Sequence, residues 1–420
     1  MAYAYLGRTY GDIGESALSA ENTSKAYQLR DCASDPEKFF ITASYDTQVT
    51  GNMEKAQQTC QLWARTYPRD PTPHALLGGL IYQVSGQYEK AVEESQKALD
   101  LDPDFAIAYD ILAYSNESLG RVEEAEKVLE RAEQRNLDIP WFLLHRYRIA
   151  FLKGDSKAMQ RVAAQAQSSE SDEVLSQQAF VLTYAGQIKL ARLTSDRAIE
   201  LALRKNQKET AALWQAGAAL REAFLGDAPE AKKSSAEALG LSKNREVEYG
   251  VAVALALSDD PVSSETLARD LEKRFPEDTS VQLSYLPTLH ALLDLGQGKP
   301  AKAIEHLEVS IPHELGVPGS SIHGYFGALC PIYVRGEAYL AEHRGAEAAA
   351  EFRKILDHRG IVLADPVGAL GTLQYGRALA LSRNKTDART AYREFLSLWK
   401  NADSDIAIFK QAKAEYMKLN

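Results

Sequence analysis

The sequence is short of the residues that metal sites, disulfide frameworks, membrane spans and nucleic-acid binders depend on. Its three cysteines, Cys32, Cys60 and Cys330, form an odd set with no CxxC spacing. That excludes a disulfide framework and a zinc ribbon, and reads the thiols as core residues. Eight histidines are scattered without ligand spacing. The His–Glu neighbour pair in "PHELG", Pro312 to Gly316, lacks the second histidine and the helix that a zincin needs. Metal ligands are therefore not expected. No apolar run reaches the length of a membrane span, and "MAYAYLGRTYGD" shows no charged-then-apolar leader pattern. The chain is expected to make no membrane contact and to be cytoplasmic. It would be an extracytoplasmic arm if a membrane helix preceded it in a longer protein. Excess basic charge is missing too. With 48 Lys and Arg against 58 Asp and Glu the net charge is −10, so no basic face awaits a phosphate backbone and nucleic acid is not an expected partner.

Catalytic constellations are equally scarce. There is no GxxxxGK[ST] phosphate loop, no GxSxG elbow, and no set of glycine-rich loop, strand lysine and paired aspartates of the kind that phosphoryl transfer requires. "APE", Ala228 to Glu230, matches one kinase tripeptide but stands alone inside a helical pattern. No catalytic residue and no cofactor are expected in this chain.

What is present is repetition. In "GQYEKAVEESQKALDLDP", Gly86 to Pro103, the small residues Gly86, Ala91 and Ala98 recur 34 residues later as Gly120, Ala125 and Ala132. A fixed period of this length marks a stacked array, and 45% hydrophobic with 25% charged residues is the composition of a folded one. Each unit reads as two helices. His74 to Tyr82 supplies one and Tyr88 to Leu101 the other. Gly86 ends the first, because glycine adopts the left-handed conformation a helix terminus uses. Pro103 ends the second, because proline cannot continue it. Ala91, Ser95 and Ala98 fall on one face, where small side chains let two helix backbones approach. Such a hairpin cannot bury its apolar face alone and must stack on copies of itself.

Gly79, Tyr82, Ala91, Ala98 and Pro103 match the pattern of the tetratricopeptide repeat, and the unit resembles that family. Related units follow Leu6, Gly7 and Gly14; Gly51 and Ala56; Gly154 and Ala166; Gly186, Ala191 and Ala198; Gly226, Ala231 and Ala238; Gly298 and Ala303. Two last units, Gly336 with Ala348 and Gly376 with Ala388, lie 40 residues apart. The unit from Arg245 to Pro276 is degenerate. The resemblance implies an all-α solenoid, a right-handed superhelix of about eleven hairpins. Residues 1–309 would hold about nine repeats and 310–331 a Gly/Pro-rich loop. Residues 332–420 would hold two more repeats and a capping helix, in which Ile406, Phe409, Ala412 and Tyr416 share a face. The first repeat begins almost at Met1, so a preceding segment is expected in the parent protein. "AYQLRD", "YVRGEAYL" and "KILDHRGIV" resemble the repeat region that follows the catalytic domain of bacterial serine/threonine protein kinases of the acidobacterial type. A similar region follows winged-helix domains in some bacterial regulators.

The expected function is protein or peptide binding on the concave face. First helices line that face, and Asp110, Tyr114, Arg148, Tyr184, Tyr333, Glu337 and Arg377 fall on it at successive hairpins, aromatics and arginines being the types that carry interface energy. Phe180 and Tyr249 could equally fill gaps between repeats. A clamp for a chaperone's terminal carboxylate is not expected, because the inner positions hold Ala4, Arg8, Ile41, Tyr45, Leu76, Leu80, Asp110 and Tyr114 rather than lysine and asparagine. A site in the 310–331 loop, catalytic or binding, is the alternative.

Overall fold

Hairpin 3 shows why these residues form this unit. Its second helix, Tyr88–Leu101, buries Tyr88, Ala91, Ser95, Ala98 and Leu99 and exposes Glu89, Lys90, Glu93 and Lys97, a stripe at the 3.6-residue period. Ala91 and Ala98 have no exposed surface at all. Gly86 turns the chain with φ of 71°, a conformation open to glycine at little cost. The same grammar runs along the whole chain.

The computed structural model describes residues 1–317 and 327–419. Among them are eleven hairpins and no strand. Hairpins 1 to 4 pair Ala2–Asp12 with Ser16–Gln28, Asp35–Tyr45 with Met53–Thr66, Thr72–Leu76 with Tyr88–Leu101, and Ala106–Ser118 with Val122–Gln134. Hairpins 5 to 8 pair Pro140–Lys153 with Ser156–Ser168, Asp172–Tyr184 with Ile188–Arg204, Lys208–Leu225 with Ala228–Leu241, and Arg245–Leu257 with Pro261–Arg274. The degenerate unit, hairpin 8, is thus a regular one. Hairpins 9 to 11 pair Leu286–Gly296 with Pro300–Leu307, Cys330–Ala341 with Gly345–Asp357, and Pro366–Leu381 with Lys385–Leu398. The first helices of hairpins 2 and 3 are prolonged by π-helical turns over Asp46–Thr50 and Leu77–Tyr82, and that of hairpin 9 is preceded by one over Val281–Tyr285. The last helix, Ala407–Lys418, buries Phe409 and Ala412 against a cluster containing Leu373, Phe395 and Trp399. It caps the stack.

After five to six hairpins the solenoid meets itself. Ser16 Oγ donates to Glu209 Oε2 at 2.6 Å, Lys55 Nζ to Glu277 at 2.7 Å, and Tyr88 OH to the Leu315 carbonyl at 2.8 Å. Further along, Lys189 N donates to Asp403 at 3.0 Å and Trp399 Nε1 to the Tyr184 carbonyl at 3.0 Å. These partners lie between 193 and 227 residues apart. Adjacent superhelical turns are therefore in direct contact. One core cluster includes Tyr88 and Tyr114 from the early hairpins together with Val317, Tyr333, Phe352 and Ile361 from the late ones.

Two expectations are corrected here. Cys60 and Cys330 are core thiols, but Cys32 is exposed, because it ends the short 3-10 turn Arg30–Cys32 outside the hairpin stack. The interruption expected over Ser310 to Pro331 is structured at both ends. A 3-10 turn, Glu308–His313, takes in Pro312, and Pro331 sits in the first turn of Cys330–Ala341, where its missing N–H costs nothing. Val317 N donates to the Gln83 carbonyl at 3.1 Å and Gly327 N to Asp365 at 2.8 Å. Pro318, Gly319 and Gly324 lie outside the described residues. No helix among the described residues is long and apolar enough to cross a membrane.

Candidate functional site: the inner groove of hairpins 1 to 5

The first helices of the first five hairpins turn toward a common inner face. There the first helices enclose a groove of about 400 Å³. Helical periodicity decides which residues reach it. On the first helix they are Met1, Tyr5, Arg8 and Asp12, spaced four, three and four apart. On the third hairpin's first helix they are Thr72, Leu76, Gly79 and Leu80. Phe40, Phe105, Ile107, Ile111 and Trp141 add apolar surface, Trp63 reaches in from a second helix, and Glu37, Asp70 and Asp110 add carboxylates. Gly79 admits Ile111 to the floor, since a Cβ there would stand 2.8 Å from Ile111 Cδ1. The π-helical turn Leu77–Tyr82 widens the same helix, a distortion that recurs at functional sites.

Arg8 is committed to Asp12, with Nε donating to Oδ1 at 2.8 Å. Glu37 accepts from the Ser34 backbone N at 2.8 Å and from Ser34 Oγ at 2.7 Å. The Ser34 backbone donor, then the Ser34 hydroxyl and the N-terminal ammonium, hold its carboxyl below the usual range. Asp70 Oδ1 accepts from Thr72 N at 2.9 Å. Trp63 is 2% exposed, and its indole Nε1 has no hydrogen-bond partner among the described residues. Tyr5, by contrast, is 60% exposed at the mouth.

Beneath the floor lies a buried charge network. His145 is held between two carboxylates, with Nε2 2.9 Å from Asp110 Oδ1 and Nδ1 2.8 Å from Glu117 Oε1, and all three side chains are fully buried. Burial alone would lower the imidazole's pKa. The Glu117 charge and the Asp110 hydrogen bond overcome it and push the value up to about 9, so the ring is an imidazolium at neutral pH. The Arg148 guanidinium lies 5.5 Å above the Tyr114 ring and shares this layer.

Two stretches, residues 76–137 and 333–406, match the tetratricopeptide repeat family. The fold is a tetratricopeptide-type solenoid. No curated protein sequence matches the chain. Among solved structures, yeast Tom70 is similar at 16% identity over 94% of this chain and 96% of its own, with a TM-score of 0.37. A tetratricopeptide repeat protein from Parabacteroides merdae is similar at 17% identity over 87% and 98%, with a TM-score of 0.26. Neither superposition reaches a TM-score of 0.5, and nothing is carried over from them.

Within this solenoid the residues expected on the concave face separate into three places. Asp110, Tyr114 and Arg148 do come together, but they are 0%, 0% and 2% exposed. They form the layer under the groove, and only Asp110 also lines it. Tyr333, Glu337 and Arg377 gather near the cap. Tyr333 packs edge-on against Phe224 and Phe352, burial pushes the Glu337 carboxyl up to about 7, and Arg377 grips Glu415 of the capping helix with two bonds of 2.9 Å. Tyr184 stands apart, edge-on to Phe151 at 5.4 Å. Asp110, Tyr114, Arg148 and Tyr333 are thus buried rather than open, while Tyr184, Glu337 and Arg377 are half-buried. Phe180 and Tyr249 are buried as well, which is the gap-filling reading. Sequence reasoning missed Tyr5, Trp63, Trp141 and His145. The available signal was the four-three-four spacing of Met1, Tyr5, Arg8 and Asp12, together with an aromatic at each of several consecutive hairpins.

Proposed function

We propose that the chain is a non-catalytic module that binds an extended segment of another protein in the groove of hairpins 1 to 5. The observation that supports this is a groove of about 400 Å³ on the inner face there, lined mainly by apolar and aromatic side chains. In this reading Asp110, Tyr114 and Arg148 are the supporting layer, Tyr333, Glu337 and Arg377 are the contacts near the cap, and Tyr184 stands apart from the binding surface. We further propose that the module is the sensor or scaffold arm of a bacterial serine/threonine kinase acting in the cytoplasm. The effector arm of a winged-helix regulator is the second reading, resting on the same sequence resemblance.

An array of random decapeptides probed with the full chain tests the groove. Binders should lose at least tenfold in affinity on Leu80→Glu or Trp141→Ala and nothing on the outer-face change Lys127→Ala. Binders insensitive to both groove substitutions would overturn the reading.

A further inference from the structure

The groove's chemistry is one-sided. Five aromatic side chains, Tyr5, Phe40, Trp63, Phe105 and Trp141, share it with four carboxylates, Asp12, Glu37, Asp70 and Asp110. Its one cationic side chain, Arg8, is already paired with Asp12. Asp110 is answered by His145. Glu37 and Asp70 are not answered by any lysine or arginine in the ion pairs of the described residues. Each accepts only local hydrogen bonds at a helix start. A carboxylate has about four acceptor sites, so both can accept further hydrogen bonds from a ligand. They stand at the N-terminal ends of the first helices of hairpins 2 and 3, on the same rim as Phe105 and Trp141 at the starts of hairpins 4 and 5.

We infer that this groove selects an extended segment carrying lysine or arginine next to large apolar residues, with arginine preferred. The inference rests on the peptide-binding reading above. Carboxylates attract the cation, while aromatic faces take up its stem and, for a planar guanidinium, stack on it. The unpartnered Trp63 indole N–H supplies a donor for a carbonyl of the bound segment. Register follows from geometry. Neighbouring helices pack roughly 8–10 Å apart, and an extended chain advances roughly 3.3–3.6 Å per residue. Successive hairpins are thus met about every third residue, the cations opposite hairpins 2 and 3 and the apolar residues opposite hairpins 4 and 5. An acidic segment or a carboxylate-terminated tail would face Glu37 and Asp70 with like charge.

The test uses the full chain and three fluorescein-labelled twelve-residue peptides of serine and glycine, each tried in both chain directions. One carries two arginines and two leucines at every third position, one replaces the arginines with glutamate, and one with glutamine. Anisotropy gives affinity. Intrinsic emission gives location, because Trp63 and Trp141 line the groove, while Trp214 and Trp399 are engaged elsewhere with Asp172 and Tyr184. The arginine peptide should bind at least tenfold tighter than the glutamate peptide, weaken as salt is raised, and alter tryptophan emission. The double variant Glu37→Gln plus Asp70→Asn should cut that preference to within about threefold, and circular dichroism should show it folded. Equal or tighter binding of the glutamate peptide overturns the inference but leaves the groove reading standing if Leu80→Glu still abolishes it. Binding of the glutamine peptide as tight as that of the arginine one overturns it too. Failure of every peptide, alongside array binders insensitive to Leu80→Glu, overturns both. Should the double variant not fold, Asp70→Asn alone, read by the arginine-to-glutamine affinity ratio, keeps the question decidable: an unchanged ratio refutes it.

Discussion

Gly360 is where the contact between superhelical turns can be measured most directly. It lies in the short helix Arg359–Val362 and does not need a left-handed backbone, so changing it to alanine carries no conformational penalty. A Cβ built there would overlap the Glu117 carbonyl oxygen, stand 2.7 Å from its carbon, and reach 3.1 Å from Ser118 Cα. All of these are backbone atoms of hairpin 4, which cannot rotate away as a side chain would. The turns must part by several tenths of an ångström, or the last part of hairpin 4's first helix must shift. Overpacking of this kind costs about 1–3 kcal/mol, partly offset by roughly 0.5–1 kcal/mol from replacing a helical glycine. Gly360→Ala should therefore destabilise the protein by about 1–2 kcal/mol. Gly240→Ala is the control. Gly240 is helical, a Cβ there meets nothing within 4 Å, and the substitution should be neutral or stabilise by up to about 1 kcal/mol. Because stability in a repeat array is a sum of local and neighbour terms, a single melting temperature is a poor readout. Hydrogen exchange is better: protection should fall in Ala106–Ser118 and Cys330–Ala341 and hold in hairpin 8. Small-angle scattering should show a larger radius of gyration. Wild-type exchange and scattering for Gly360→Ala would refute the claim that the turns bear on one another.

Ala91→Leu and Ala125→Leu, at positions with no exposed surface, should each cost about 1–3 kcal/mol from overpacking; unchanged urea midpoints for both would mean that these faces are not the close contacts described. His145 gives a pH signature. Its folded pKa, raised from 6.5 to about 9, contributes stability that is fully present below pH 6.5 and lost as pH rises through 9, by about 3 kcal/mol at most. Urea midpoints should fall between pH 7 and 10 in the wild type and fall less in His145→Gln, itself destabilised because two buried carboxylates lose their partner; parallel pH profiles would refute the assignment. The chain alone should neither bind ATP nor transfer phosphate, and magnesium-dependent labelling of a generic substrate would overturn that expectation.

How much of this was legible without coordinates varies by element. The hairpins were, down to their count, because a helix face and a glycine stop are local and Ala91, Gly86 and Pro103 report them within one unit. The capping helix was legible for the same reason: Phe409 and Ala412 share a face at helical spacing. The inner positions Arg8, Leu76, Leu80 and Asp110 were also legible as inner. Their company was not. That Asp110 faces His145, 35 residues on, depends on how hairpin 5 stacks on hairpin 4, and that Trp63 reaches the groove from a second helix depends on how hairpin 2 packs against its neighbours.

Local sequence determined that this chain repeats, that each repeat is two helices with a small-residue seam, and that no familiar catalytic constellation lies among them. Each of those properties is carried by residues within about 35 positions of one another. Only the tertiary structure decided which part of the inner face is open. Small rotations between hairpins accumulate over five or six repeats until Gly51 meets Asp278, Gly86 meets Leu315 and Gly186 meets Trp399. Whether that sum brings two turns into contact is not encoded in any single unit. It buries Tyr114 and Tyr333, which look like binding residues in the sequence, and leaves Tyr5 exposed at the mouth of the aromatic, acid-lined groove of hairpins 1 to 5.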